Sequence, residues 1–184
     1  LIFTLFALMV LAQLYVPAKM IYDQEDILNS GNSFKFKTQP IDPEDPFRGR
    51  YVALNFEEIS QKQDTGLFEV GDNVFASFET GKDGFAMIKS ISKTAPENES
   101  DYLKTYVSYI ISSRNGESIA IDIPFDRFYM EEFKATEAEK TYWNSLRDTS
   151  KMTYAIVFLK NGNYALQNVM IDGVSLQELV EDAR

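Results

Sequence analysis

The sequence predicts a mainly β domain, an antiparallel barrel-like or sheet structure with one amphipathic helix, carried on an N-terminal transmembrane helix. Three observations lead there. Residues 1–16 read LIFTLFALMVLAQLYV, with no charge and one amide, Gln13. Beyond residue 32, short segments alternate apolar and polar side chains and are punctuated by Asn-Gly and Asp-Gly pairs, the pattern of β-hairpins. In that polar part, Glu131 to Leu146 is the one clear stretch with helical spacing.

The apolar start sits at the short end of the roughly 17–25 residues that a spanning helix needs. The chain does not begin with Met, so it is expected to begin inside that helix, short of an upstream basic flank. Tyr15 and Tyr22 suit the lipid headgroups, and Lys19 can snorkel toward them. Asp23, Glu25 and Asp26 follow, and the flank lacks a Lys/Arg cluster, which favours an outside location for what comes next. The rivals are a cleaved signal peptide, for which Val16-Pro17-Ala18 ends on a small residue, and the buried core helix of a soluble domain. The spanning anchor is preferred. Residues 1–22 are therefore expected to be the anchor, 23–32 a juxtamembrane linker and 33–184 the folded domain.

Gln24 to Ser30 can extend as a short helix ended by Gly31. Ser33 to Thr38 puts Phe34 and Phe36 on one face and Lys35 and Lys37 on the other, as a half-buried strand does. Pro40, Pro43 and Pro46 then forbid regular structure and fix a stiff turn. Tyr51 to Glu57 alternates again, with Tyr51, Ala53 and Asn55 opposing Val52, Leu54 and Phe56. Gly71-Asp72 turns into Asn73 to Phe78, whose Val74, Ala76 and Phe78 share a face. Gly81 to Gly84 is a hairpin turn and Phe85 to Ile91 the returning strand. Tyr102 to Ser112 is rich in β-branched and aromatic residues, and Asn115-Gly116 turns it into Glu117 to Ile123.

In Glu131 to Leu146, the residues Phe133, Ala138, Tyr142 and Leu146 approximate an apolar stripe, and acidic residues gather in the first turn, where the helix dipole favours them. Met152 to Leu159, Asn161-Gly162 and Tyr164 to Ile171 form a last hairpin. Asp172-Gly173 then leads into a short helix at Leu176 to Val180. No GxGxxG follows a strand and no Walker pattern occurs.

Composition excludes more than it assigns. The 184 residues carry 14 Phe and 10 Tyr, enough for one real core, and a net charge of -10. Nucleic-acid binding needs a basic footprint that this chain lacks, and charge-driven attachment to anionic lipid is disfavoured. With no Cys and no His, disulfides, thiol nucleophiles, Cys/His zinc sites and imidazole bases are ruled out together. No cofactor and no metal are expected.

Pro40-Ile41-Asp42-Pro43-Glu44-Asp45-Pro46-Phe47-Arg48-Gly49-Arg50-Tyr51-Val52-Ala53-Leu54-Asn55-Phe56 resembles the GDYXXLXY family of membrane-anchored bacterial proteins. Gly49, Tyr51 and Leu54 match the motif that names it. Arg50 stands where the family usually has Asp, and Phe56 replaces the final Tyr. Arg127 to Glu132, entering the helix with Ala138-Glu139, and Tyr164 through Asp172-Gly173 also look like the family. The resemblance implies an extracytoplasmic body on a single anchor. It also implies a bacterial inner-membrane location with the body in the periplasm. Family members are often encoded beside multi-pass membrane proteins, which suggests such a partner. It carries over no enzymatic activity, and Arg50 argues against any mechanism that needs a carboxylate there.

The remaining candidate residues have competing explanations. Arg48 and Arg50 flank Gly49 and can aim both guanidiniums at one carboxylate or phosphate; alternatively they pair with Asp42, Glu44 or Asp45 and pin the proline turn. Asp42 suits an Asx-type cap better than a cation site, because the loop lacks EF-hand spacing. Paired carboxylates for glycoside hydrolysis and a Ser/Lys dyad are conceivable, but no spacing singles out a nucleophile. Tyr15, Tyr22, Tyr102, Tyr106 and Tyr109 fit core or interface burial better than a cofactor box. Tyr129, Tyr142 and Trp143 gather around the soluble helix, either as an aromatic docking surface or as the packing of that helix on its sheet. Ala7, Ala12 and Thr4 are small enough to let another helix approach.

The expected function is an accessory or interaction subunit that partners a multi-pass membrane protein and holds to the bilayer through residues 1–22. The alternatives are a sensor that grips an anion through Arg48 and Arg50, and an envelope hydrolase.

Overall fold

The computed structural model describes residues 2–39, 51–57, 60–62, 68–113, 116–148 and 150–182. Pro40, Asp42, Pro43, Glu44, Asp45, Pro46, Arg48, Gly49, Arg50 and Asn115 lie outside them, so the proline turn, the paired-arginine site and the Asn115 turn are not described.

The molecule is mostly β, a nearly closed, largely antiparallel barrel-like sheet behind one long apolar helix. That helix, α1 (Ile2–Ser30), is continuous through Pro17. Residues 23–30 are helical, as expected of the extension, but they are not a separate linker. They are the last turns of the same helix, which ends at Gly31 with the Gly31 N–H on the Ile27 carbonyl at 2.8 Å. Before its final turns most described side chains of α1 are exposed, and the helix is long and apolar enough to cross a membrane.

Two larger sheets and a two-stranded pair make the barrel. The first runs β1 (Asn32–Lys37), β9 (Thr153–Lys160), β10 (Asn163–Ile171) and β11 (Val174–Ser175). The second runs β3 (Ser60–Lys62), β7 (Gly116–Ile121), β6 (Tyr102–Ser113), β4 (Asn73–Thr80) and β5 (Ala86–Ser92). The pair is β2 (Tyr51–Ala53) with β8 (Arg127–Tyr129). Single bridges join them: Leu103 with Gly162, and Thr38 with Phe56. The helices α2 (Glu132–Arg147) and α3 (Leu176–Asp182) complete the structure, linked by Lys134 to Glu181 at 2.6 Å.

Period-2 patterning explains the long strands. Phe34 and Phe36 point inward from β1, and Thr153, Ala155, Val157 and Leu159 point inward from β9. Phe36 is fully buried at the centre of a ring cluster, with Phe125 at 4.9 Å, Phe78 at 5.4 Å and Phe56 at 6.2 Å between centroids. The strand expected at Tyr51 to Glu57 is regular only to Ala53. Val52, Leu54 and Phe56 are buried as the alternation predicts, but the chain changes neighbour: the Leu54 N–H still reaches Asp126, while Asn55 already accepts from Gln39.

Asn161 (φ 50°) and Gly162 (φ 84°) both lie in the left-handed region, as a two-residue type I′ hairpin requires. Asp172 and Gly173 repeat the geometry between β10 and β11. On α2, Ala135, Ala138, Tyr142 and Ser145 form the buried face; the Phe133 side chain lies outside the described residues.

Candidate functional site

The strands β2 and β8 pair with Tyr51 opposite Tyr129, Val52 opposite Phe128 and Ala53 opposite Arg127. Val52 and Phe128 face the core. Tyr51 and Tyr129 face outward with ring centroids 5.6 Å apart, and the Arg127 guanidinium lies 5.3 Å from the Tyr51 ring centre. The Tyr129 hydroxyl, followed by the Asp126 carboxylate, pushes Arg127 above its ordinary range. Tyr129 is 64% exposed, so this is an open aromatic and cationic surface.

Beside it is a cleft of about 520 Å³ lined by Pro124 to Tyr129, Tyr164, Leu166 and Gln24 of α1. Tyr164 forms its back wall. Its hydroxyl donates to the Pro124 carbonyl at 3.0 Å and its ring meets Phe125 at 5.3 Å. Burial first, and the Asp126 charge second, push that phenol up. A second cleft, of about 700 Å³, lies between Lys19 to Ile27 of α1 and the β9–β10 turn. The two share Gln24, Pro124 and Tyr164, so they form one groove that runs from the exit of α1 to the Tyr51–Tyr129 surface.

The three segments that carry the family resemblance therefore converge. Tyr51 pairs with Tyr129, and Tyr164 closes the cleft that Arg127 opens. Leu54 and Phe56 are core residues. Asp172 and Gly173 are structural: Asp172 accepts the Met152 N–H on its side chain at 2.8 Å and donates its own N–H to Met152 at 2.9 Å. The match of a family model, described as GDYXXLXY protein, over residues 13–169 decides the relationship. The chain belongs to the GDYXXLXY family. No curated protein and no solved structure matches it.

The join of α1 and the sheet in this GDYXXLXY protein is tight. Ile27 is buried on the sheet. Lys160 donates to the Asp26 carboxylate at 2.6 Å and to Ser30 Oγ at 2.7 Å, and Asn32 donates to Asp101 at 2.6 Å. A methyl group on Gly31 would meet the Ile27 carbonyl oxygen at 2.6 Å and that of Leu159 at 2.8 Å. The Lys160 bond holds the Asp26 carboxyl below its usual range.

Ser30 and Lys160 are in contact at 2.7 Å among the described residues, but the geometry is wrong for a Ser/Lys dyad. Lys160 acts as donor to both partners, and Ser30 spends its proton on the Asp26 carbonyl at 2.6 Å. This is a clamp on the end of α1. Among the described residues no three acidic side chains gather as a metal site.

The aromatic groups divide. Tyr142 is buried in the core, and Trp143 is half-buried and packs at 5.9 Å from it, so these two pack α2 on the sheet. Tyr129 belongs to the Tyr51 surface instead. Tyr106 and Tyr109, expected in a core or interface, lie on the outer face of β6 and are nearly half exposed. Sequence reasoning did not single out Asp26, Lys160 or Tyr164 as a unit, because their partnership spans some 130 residues and leaves no local mark.

Proposed function

We propose that this GDYXXLXY protein is a single-pass membrane-anchored accessory subunit that presents the groove around Tyr51, Arg127, Tyr129 and Tyr164 to a multi-pass membrane protein. The anchor lies in a bacterial inner membrane and the body in the periplasm. The observation that carries this reading is the clamped, unbroken passage from α1 into β1. A tether that served only to raise local concentration would tolerate a loose linker. Here the last turns of the helix are seated on the sheet, so the groove has a fixed height and bearing relative to the bilayer. Its open end carries tyrosines and an arginine, residue types that dominate interface energetics.

The test begins with the full-length protein solubilised from native membranes in mild detergent. A stoichiometric multi-pass protein should copurify, and should be lost when residues 1–16 are exchanged for an unrelated spanning segment. A clean monomer sinks the accessory reading. Because the chain has no Cys, a single Met87→Cys variant reports sidedness: an impermeant maleimide should label it in intact spheroplasts. Labelling only after lysis would place the body on the other side.

A further inference from the structure

We infer that Gln13 is a partner-docking residue inside the membrane, and that its partner is a transmembrane helix of another protein that stops at the headgroups beneath the body. The inference rests on the anchored reading above and gives it a specific contact.

Gln13 is the one polar amide in the apolar segment, and two polar groups coincide there. Residue 17 is proline inside the helix, so the Gln13 carbonyl has no i+4 N–H donor. The Gln13 side chain is exposed on the helix surface. With Tyr22 at the headgroups, Gln13 lies about 13 Å deeper along the axis, close to the middle of a hydrocarbon layer about 30 Å thick. An amide at that depth has no water and gains by bonding to a neighbouring helix.

The body dictates which neighbour fits. Lys19, Met20, Asp23, Gln24, Asp26 and Ile27 line the groove under the β9–β10 turn and so mark the body side of α1, with Gln13 toward one edge of it. At about 100° per residue, Gln13 lies within roughly 20° of both Met20 and Gln24. Met9, Ala12 and Val16 share that side. A helix docked on Gln13 therefore stands under the overhanging body. A second copy of this chain does not fit there. Its own α1 would rise unbroken for about 12 Å from Tyr22 to Ser30 and strike the β9–β10 turn of the first. A helix that turns at the membrane surface, as those of multi-pass proteins do, meets no such obstacle.

The test places a photo-crosslinking residue at Val16, on the body side, or at Leu14, on the far side, in the full-length chain in native membranes. Alkaline extraction is read in parallel. The expected result is a Val16 adduct with a multi-pass protein, silence at Leu14, and retention of the chain in the membrane. Gln13→Leu should lower the Val16 adduct about five-fold or more, while Gln13→Asn, which keeps the amide, should lower it less. Retention with equal yields at Val16 and Leu14, or no dependence on Gln13, overturns the inference and leaves the anchor standing. An adduct between two copies overturns the assignment of the partner. Release of the chain by alkali overturns the anchored reading itself.

Discussion

Two residues, Gly31 and Tyr142, carry consequences out of proportion to their size. At Gly31 the helix end and β9 approach so closely that a single methyl group would overlap two carbonyl oxygens. Gly31→Ala should therefore cost about 2 kcal/mol, as forced overpacking does, in chemical denaturation of the full-length protein in detergent. An unchanged midpoint would mean that the junction yields easily and that the seat of α1 is soft. Tyr142 poses the opposite case. Its hydroxyl is buried near the Thr38 side chain and the Asn55 backbone, yet it meets no partner at full hydrogen-bonding geometry, and burial pushes the phenol up to about 12. Removing an unsatisfied buried group is neutral or favourable, so Tyr142→Phe should match the parent or exceed it by about 1 kcal/mol at neutral pH. The pH effect follows from the same shift. The unfolded phenol titrates near about 10. The folded state holds its proton more tightly, so this contribution is complete below about pH 10 and is lost as pH rises toward 12. The Phe variant should lack that alkaline loss, and a clear destabilisation at neutral pH would show that the hydroxyl has a working partner.

Among elements, the hairpin between β9 and β10 does two jobs. It reverses the chain through Asn161 and Gly162, and its Gly162 carbonyl accepts the Lys104 N–H at 3.0 Å, which joins the two large sheets. Gly162→Ala combines a left-handed backbone with a Tyr102 ring 3.1 Å from the added carbon. It should lower stability by about 1 kcal/mol or more, measured by thermal unfolding. The clamp on α1 is electrostatic and has its own signature. Lys160 lowers the Asp26 carboxyl, so the contribution is present above the unfolded carboxylate range and disappears as pH falls through the folded value. Asp26→Asn should make the acid limb of the stability profile shallower, and an identical limb would remove the clamp from the account. These elements also show what local sequence can express. β1, β9 and β10 were legible because one buried face imposes a period of two, and the two type I′ turns because Asn-Gly and Asp-Gly tolerate positive φ. β3, β8 and β11 have three residues or fewer, too short to display a period. The unbroken α1 was divided at residue 22 because the apolar run gives way there to Asp23, Glu25 and Asp26, although the helix itself continues to Ser30. The pairing of Tyr51 with Tyr129 and the seating of Asp26 on Lys160 are long-range and had no local signal, so the candidate site was legible as three segments but not as one groove.

For the molecule as a whole, the groove and α1 form one directional object. If the Tyr51–Tyr129 surface supplies binding energy, Tyr129→Ala should reduce copurification of the proposed multi-pass partner about ten-fold or more while lowering the unfolding midpoint only slightly, since this side chain is largely exposed and loses mainly its ring contact with Tyr51. Equal recovery would move the contact elsewhere on the body. The topology also governs how such a chain is born. β1 follows α1 directly, yet its partner is β9, with Asn32 opposite Leu159. At about 5–20 residues per second the ribosome needs on the order of 10 s to deliver that partner. Through that interval the nascent chain is held by its helix and displays a strand edge with Phe34 and Phe36 uncovered, a target for mispairing. Folding of this protein therefore depends on whatever shields β1 until β9 arrives, and on the proposed periplasmic placement its yield in a cell lacking periplasmic holdases should fall well before its finished fold is affected.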